Sequence, residues 1–344
     1  MKIIKSSVKI LDNDWSIKGI FRAIERAGRT CYKSVGTRYF RLEKGPENSL
    51  ESNLIKQAQS DPRVVCKQGA YFDPAYYLSI PNKFISDYLN IEQFDEENFE
   101  DSPYYENLTA EDFVNMLIKS GHGAMLEHGT VYLYDTYDIS AIGSWTNSLG
   151  YKYSKNKYSK VITNDHMDIR DIYITTNLRV LIENDWLDDL KYVCEPTEYH
   201  AKRVMVRFIC DRGVSHEIVR HRVMSFAQES TRYCNYSKNK FGQELTFIEP
   251  AWEFPSSNIV NTRERFEAML EEAEANYMEL ITLGFKPQEA RAVLPNALKT
   301  EIVVTGFIDD WKHFFELRCD SAAHPDIRKL ALDLQKQFID REFI

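Results

Sequence analysis

Several features that would settle the chemistry of this chain at once are missing. There is no CxxC pair: six cysteines, Cys31, Cys66, Cys194, Cys210, Cys234 and Cys319, lie scattered over 344 residues. That spread fits reduced thiols and not a disulfide framework. No apolar run approaches the length of a membrane span, and the opening residues MKIIKSSVKILDNDW are too polar for a secretory signal. These absences predict a cytoplasmic protein with no membrane partner. Neither a Gly-x-Gly-x-x-Gly nor a Gly-x4-Gly-Lys-Ser/Thr motif occurs, so neither a Rossmann nor a P-loop nucleotide site is indicated. There is no Gly-x-Ser-x-Gly, and no cysteine has a histidine at a recognisable spacing, so an activated nucleophile is not indicated either. Basic residues are not in excess: 43 Lys and Arg face 52 Asp and Glu, a net charge of -9. A global footprint for nucleic acid is therefore absent, and an anionic ligand must be held by a local cluster.

What is present is a soluble globular composition, 43% hydrophobic and 28% charged, long enough for one large or two ordinary domains. With no internal repeat or low-complexity linker, one domain over 1–344 is expected. Residues 2–10 read as a strand. Residues 14–27 read as a helix burying Trp15, Ile20, Phe21 and Ile24, with Gly28 as its cap. Thr109 and Asp112 resemble a capping box for a helix that stops at Gly121. Residues 130–134 are β-prone, 147–160 read as an exposed loop, and 171–182 hold a strand and a helix start. Val204, Val206 and Phe208 alternate as in a strand. Asp211 can cap a helix to about His221. A long amphipathic helix spans 262–283, Pro287 opens a short one that Pro295 ends, and 298–307 is strand-like. Asp310 can cap a helix that places Trp311, Phe314, Phe315 and Arg318 on one face, and 326–339 is the last helix.

The run RHRVMSFAQESTRY, residues 220–233, is the most informative stretch. A basic triplet is more often a solvated surface patch than a site. The following Ser230, Arg232 and Tyr233 change that balance. A helix end followed by a polar turn offers side-chain donors and free backbone N–H groups together, which suits an anionic, planar ligand. Arg318, on a helix face otherwise apolar, needs an anionic or carbonyl partner, either a neighbouring acid or a ligand. His122, Glu127, His128, His216, Glu217 and His221 invite a metal reading, but His216 and His221 lie five residues apart and do not share one helical face. No metal is predicted.

Several motifs in one order now resemble the flavin-dependent thymidylate synthases: AGRTCYKS at 27–34, GHGAMLEHGTVYL at 121–133, CDRGVSHEIVRHR at 210–222, the triplet followed after seven residues by Ser230 and then TRYCNYS, EARAVLP at 289–295, and FFELRCD at 314–320. The likeness covers roughly the first 35 residues, 110–134 and 201–330. Residues 36–108 and 135–200 look like insertions. The resemblance implies an α/β protein of α+β type, with a twisted, largely antiparallel central sheet flanked by helices. It implies methylation of dUMP to dTMP, with 5,10-methylenetetrahydrofolate giving the carbon, NADPH the electrons and FAD the hydride, in a homotetramer with shared active sites and no cysteine nucleophile. On the same ground Arg220, His221, Arg222, His122, Glu127 and His313 are expected to bind the flavin. Glu217, Gln228, Glu229, Ser230, Arg232, Tyr233, Arg291 and Arg318 are expected to line the substrate site, and Arg318, Ser230 and His122 to take part in catalysis. The sequence departs from the family pattern at Phe307, Asp309 and Ala322, positions that bear on the adenine side of the flavin, and at Glu217, where some members carry Gln.

Overall fold

The segment Val204–Cys210 is apolar at nearly every position, the pattern of a strand covered on both faces. In the computed structural model it is β10. The model describes residues 1–33, 39–42, 50–60, 65–68, 76–79, 105–106, 110–140, 145–238 and 242–344. In chain order the strands are β1 (Lys2–Lys5), β2 (Ser7–Leu11), β3 (Tyr39–Leu42), β4 (Val65–Gln68), β5 (Tyr76–Ser79), β6 (Tyr105–Glu106), β7 (Thr130–Asp138), β8 (Lys160–His166), β9 (Ile169–Asn177), β10 (Arg203–Asp211), β11 (Ser225–Gln228), β12 (Thr246–Glu249) and β13 (Lys299–Phe307).

The chain divides into two units. One is Val35–Asn115, with a four-stranded antiparallel sheet in the order β4-β5-β3-β6 and a helix at Leu50–Ser60. The other combines Met1–Ser34 with Met116–Ile344. Its main sheet is antiparallel, in the order β11-β13-β10-β2. A second sheet, β7-β9-β8, is antiparallel as well, and β1 pairs with β12 in parallel. The expected mixed architecture, largely antiparallel sheet flanked by helices, is what the chain adopts. The sheet is divided, however: the strand expected over 2–10 is two strands, each in a different sheet.

The main sheet is buried on both faces. Val204, Val206, Phe208, Ile302 and Val304 pack against Trp311, Phe314 and Phe315 of the Ile308–Arg318 helix and Leu330, Leu334 and Phe338 of the Pro325–Asp340 helix. On the other face Met205, Ala227 and Val303 meet Ala23 and Ala27 of the Ile17–Tyr32 helix. That first helix runs past Gly28 and ends instead at Lys33, which takes the left-handed conformation at φ 46°. Its N-cap is Ser16, whose side chain accepts from the Gly19 N–H. Thr109, expected in a capping box, lies outside the described residues.

Two other local expectations are corrected. Residues 147–160 are not one exposed loop: Leu149–Ser154 is a helix, capped by Ser148 and burying Leu149 and Tyr153. Tyr153 is drawn inward by an edge-on contact with Trp186 and a 2.9 Å bond from its hydroxyl to Asp189, partners more than thirty residues away. The Ile308–Arg318 helix begins two residues before Asp310, whose carboxylate accepts from the Phe307 N–H at 3.0 Å.

Trp311 is fully buried and donates from Nε1 to the Val204 carbonyl at 3.2 Å. Trp311→Ala should destabilise the protein by about 3–5 kcal/mol, because it opens a cavity among Phe208, Phe314 and Phe338 and orphans that carbonyl. Urea unfolding measures this; a loss within 1 kcal/mol would show that the core closes around the gap.

Candidate active site

Asp211 caps the Arg212–Ile218 helix by accepting from the Val214 N–H at 2.8 Å, and the helix ends three residues earlier than expected. The Arg220–Arg222 triplet therefore sits in the turn between this helix and β11. The turn is seated on Gly306: a Cβ there would lie 2.9 Å from Met224 Cγ. It holds Arg220 and Arg222 exposed and His221 buried. Among the described residues neither arginine has an ion-pair partner.

Arg318 closes the last turn of its helix onto this triplet. Its Nη1 donates to Glu217 Oε2 at 2.7 Å, Nη2 to the Glu217 carbonyl at 3.1 Å and Nε to His221 Nε2 at 3.2 Å. The acid partner weighed for Arg318 is thus Glu217, and it is a paired cation and not an isolated one. Because Nε2 accepts, the neutral ring carries its proton on Nδ1. Burial first, then Arg318 and His313, push the His221 imidazole down to about 4. His313 is exposed, with its ring 6.2 Å from His221 and its Nδ1 3.4 Å from Glu316. Beside Glu217 opens a cavity of about 300 Å³ whose walls include Trp252, Phe266, His324 and Asp326.

A second cluster lies beyond the other end of β11. Glu229 is buried, and its carboxylate meets Lys299 at 3.1 Å, Lys33 at 3.6 Å and the Tyr236 hydroxyl at 3.1 Å. Lys33 and Lys299 each also reach Glu301 at 2.5 Å, and the two ammonium groups hold the Glu301 carboxyl down at about 2 despite its burial. Gln228 donates to Ser215 Oγ at 2.7 Å. The Ser230 N–H donates to the Cys31 carbonyl at 2.9 Å, which ties the loop to the end of the first helix. Past it, Arg232 and Tyr233 are exposed. Arg232 Nε donates to Gln288 at 3.2 Å and the exposed Arg291 reaches Thr231 Oγ1 at 3.3 Å.

The third group is the turn that carries His122 and Glu127. His122 is exposed at the start of the Gly123–Leu126 helix. Glu127 pairs with Arg179 at 2.6 Å. His128 is fully buried, with Nδ1 2.8 Å from Thr305 Oγ1, and burial together with Arg203 pushes its pKa down to about 3. Among the described residues no group of three or more His, Cys, Asp or Glu side chains is arranged to hold a metal ion. The structure thus sorts the expected residues into two clusters and a turn, with β11 between the clusters. Sequence reasoning missed Lys33, Lys299, Glu301, Arg179 and Arg203. Lys299 and Glu301 stand two apart on one face of β13, a signal that an alternation count can find; Arg203 gave none.

Residues 197–341 match the family model described as thymidylate synthase complementing protein. A flavin-dependent thymidylate synthase from Pyrococcus furiosus is 34% identical over 138 residues, 39% of this chain and 53% of its own length. One from Geobacter sulfurreducens is 35% identical over 123 residues, 36% of this chain and 50% of its own. The chain spans about half the length of the curated relatives it matches. The crystal structure of a UMP/dUMP methylase PolB from Streptomyces cacaoi, bound with 5-Br dUMP, shares 20% identity over 40% of this chain and 66% of that one, with a TM-score of 0.33.

The two depressed histidines make stability depend on pH. Above about 6.5 both imidazoles are neutral, folded or unfolded, and their contribution is complete. As pH falls from there the unfolded chain takes up protons that the folded chain refuses, down to about 4 at His221 and about 3 at His128. His221→Gln should therefore flatten the loss of stability between pH 6.5 and 4, by an amount on the order of 3 kcal/mol at most. A denaturation profile unchanged by the substitution would show that His221 does not titrate in this way. Residues 197–341, the stretch similar to the thymidylate synthase complementing protein model, hold every expected site residue from Glu217 to Arg318.

Proposed function

We propose that the protein converts dUMP to dTMP by reductive methylation. The carbon donor is 5,10-methylenetetrahydrofolate, the reductant is NADPH and the hydride carrier is FAD. The observation that carries this reading is the Arg318–Glu217–His221 knot beside two exposed arginines with no ion-pair partner among the described residues, in a segment that matches the family model. The curated relatives are named flavin-dependent thymidylate synthases.

The residues fit a flavin. Arg220 and Arg222 offer unspent guanidinium donors at one turn, and His221 beside them is held neutral. Bound FAD would supply the hydride; the chain supplies placement and charge. Arg220, His221 and Arg222 hold the flavin, with His122, Glu127 and His313 on its border. Arg318 has five N–H donors, of which three are used, and the other two can reach uracil carbonyl oxygens as negative charge develops there. Glu217 fixes the guanidinium plane for that task. Arg232 and Arg291 hold the nucleotide phosphate, Ser230 and Tyr233 face the nucleotide, and Gln228 and Glu229 hold the loop in register. The absence of an enzymic cysteine nucleophile agrees with burial, which raises the Cys31, Cys194, Cys210 and Cys319 thiols above their usual range.

The Arg220–Arg222 turn and the Ser230–Arg232–Arg291 cluster stand at opposite ends of β11, four residues or roughly 10 Å of strand apart, with Arg318 on the side of the turn. That separation supports a homotetramer in which each site draws on more than one copy. Residues 36–108 and 135–200 are read as insertions into a single domain over 1–344.

Purified protein reconstituted with FAD should show a flavin band that bleaches with NADPH and returns when methylenetetrahydrofolate and dUMP are added as dTMP forms. Arg318→Ala should lower turnover by about 100-fold or more while flavin content holds; Arg222→Ala should lower flavin content first. Protein that takes up no FAD, or dTMP formation unaffected by Arg318→Ala, would refute these assignments.

A further inference from the structure

Arg203 opens β10 and is 7% exposed, yet no carboxylate pairs with it among the described residues. The Glu127 carboxylate is given to Arg179. A guanidinium stays charged when buried, so an unpaired one is costly and persists only where its donors are used. Here Nη1 and Nη2 join two separate segments, whereas the buried Nε has no hydrogen-bond partner among the described residues. Nη1 donates to the Glu127 carbonyl at 3.1 Å and to Thr130 Oγ1 at 3.1 Å, and Nη2 reaches Ser225 Oγ at 3.5 Å. The guanidinium also lies 5.5 Å from the centre of the Phe307 ring, at the N-cap of the helix that ends in Arg318. Its own backbone N–H is fixed by the Tyr132 hydroxyl at 3.0 Å. An apolar side chain of similar length would fill this space without the desolvation cost, so packing alone does not account for an arginine.

Resting on the function proposed above, we infer that Arg203 is a positioning residue for the flavin-side half of the site. Through one buried cation it sets the turn bearing His122 and Glu127 and the strand that follows Arg220–Arg222. It touches nothing in the Ser230–Arg232–Arg291 cluster, so its influence is confined to one side of β11.

The test uses the full chain and measures two affinities separately: FAD for the apoprotein, and dUMP at saturating FAD. Arg203→Met keeps the stem and removes the donors; it should weaken FAD about tenfold or more and leave dUMP within about twofold. Arg203→Lys should fall between Met and wild type, and millimolar guanidinium should restore FAD binding to Arg203→Ala. Equal losses for both ligands without rescue indicate a merely structural role and overturn the inference, as does unchanged FAD affinity. If Arg203→Met does not fold, Thr130→Val and Ser225→Ala each remove one acceptor; FAD affinity unchanged in both would overturn it equally. Wild-type protein that binds no FAD refutes the function and not merely the role of this residue.

Discussion

Both polar clusters are tied to β13. It is hydrogen-bonded on one side to β10 over nine residue pairs and on the other to β11, so it fixes the register of both. Phe307 at its end starts the helix that carries Arg318. Lys299 and Glu301 near its beginning anchor Glu229 and Lys33. Gly306 makes room for the turn after the arginine triplet. A register slip of one residue would turn Ile302 and Val304 out of one core and Val303 out of the other. Burial on both faces therefore protects the geometry of the polar clusters, although none of the residues that do so is polar.

Charge is managed differently in the two clusters. Around Glu229 every buried charge has an opposite partner: two ammonium and two carboxylate groups, with a tyrosine hydroxyl closing the set. Such a network specifies one arrangement and leaves little capacity for a ligand. Around Arg220–Arg222 the balance is open. His221 is held neutral, Arg318 is matched by Glu217 alone, and two exposed guanidinium groups face solvent. That uneven positive charge on an acidic protein is what an anionic, planar ligand would find.

Much of this was readable in the sequence, and the reasons are physical. The Asp211 cap, the long Thr262–Thr282 helix ended before Gly284 at φ 95°, and the Pro287 helix follow from local chemistry, and the structure has them as read. The residues expected at the site do lie in defined clusters, but their pairings depend on contacts far apart in the chain. Glu217 and Arg318 are separated by 101 positions and Lys33 and Glu301 by 268. The helix at Leu149–Ser154 was hidden because its anchors, Asp189 and Trp186, lie outside any local window. Arg203 was invisible for a simpler reason: at the head of an apolar strand, a charge looks like an exposed end.

In the proposed homotetramer each site draws on more than one copy, with Arg318 and Ser230 held in separate clusters of each chain. Subunit complementation tests this most directly. Arg318→Ala and Ser230→Ala proteins, each deficient in dTMP formation, are unfolded together, refolded as a mixture and assayed. The mixture should regain a substantial part of wild-type activity, because some mixed assemblies hold one site with both halves intact. A mixture no more active than its components would contradict it.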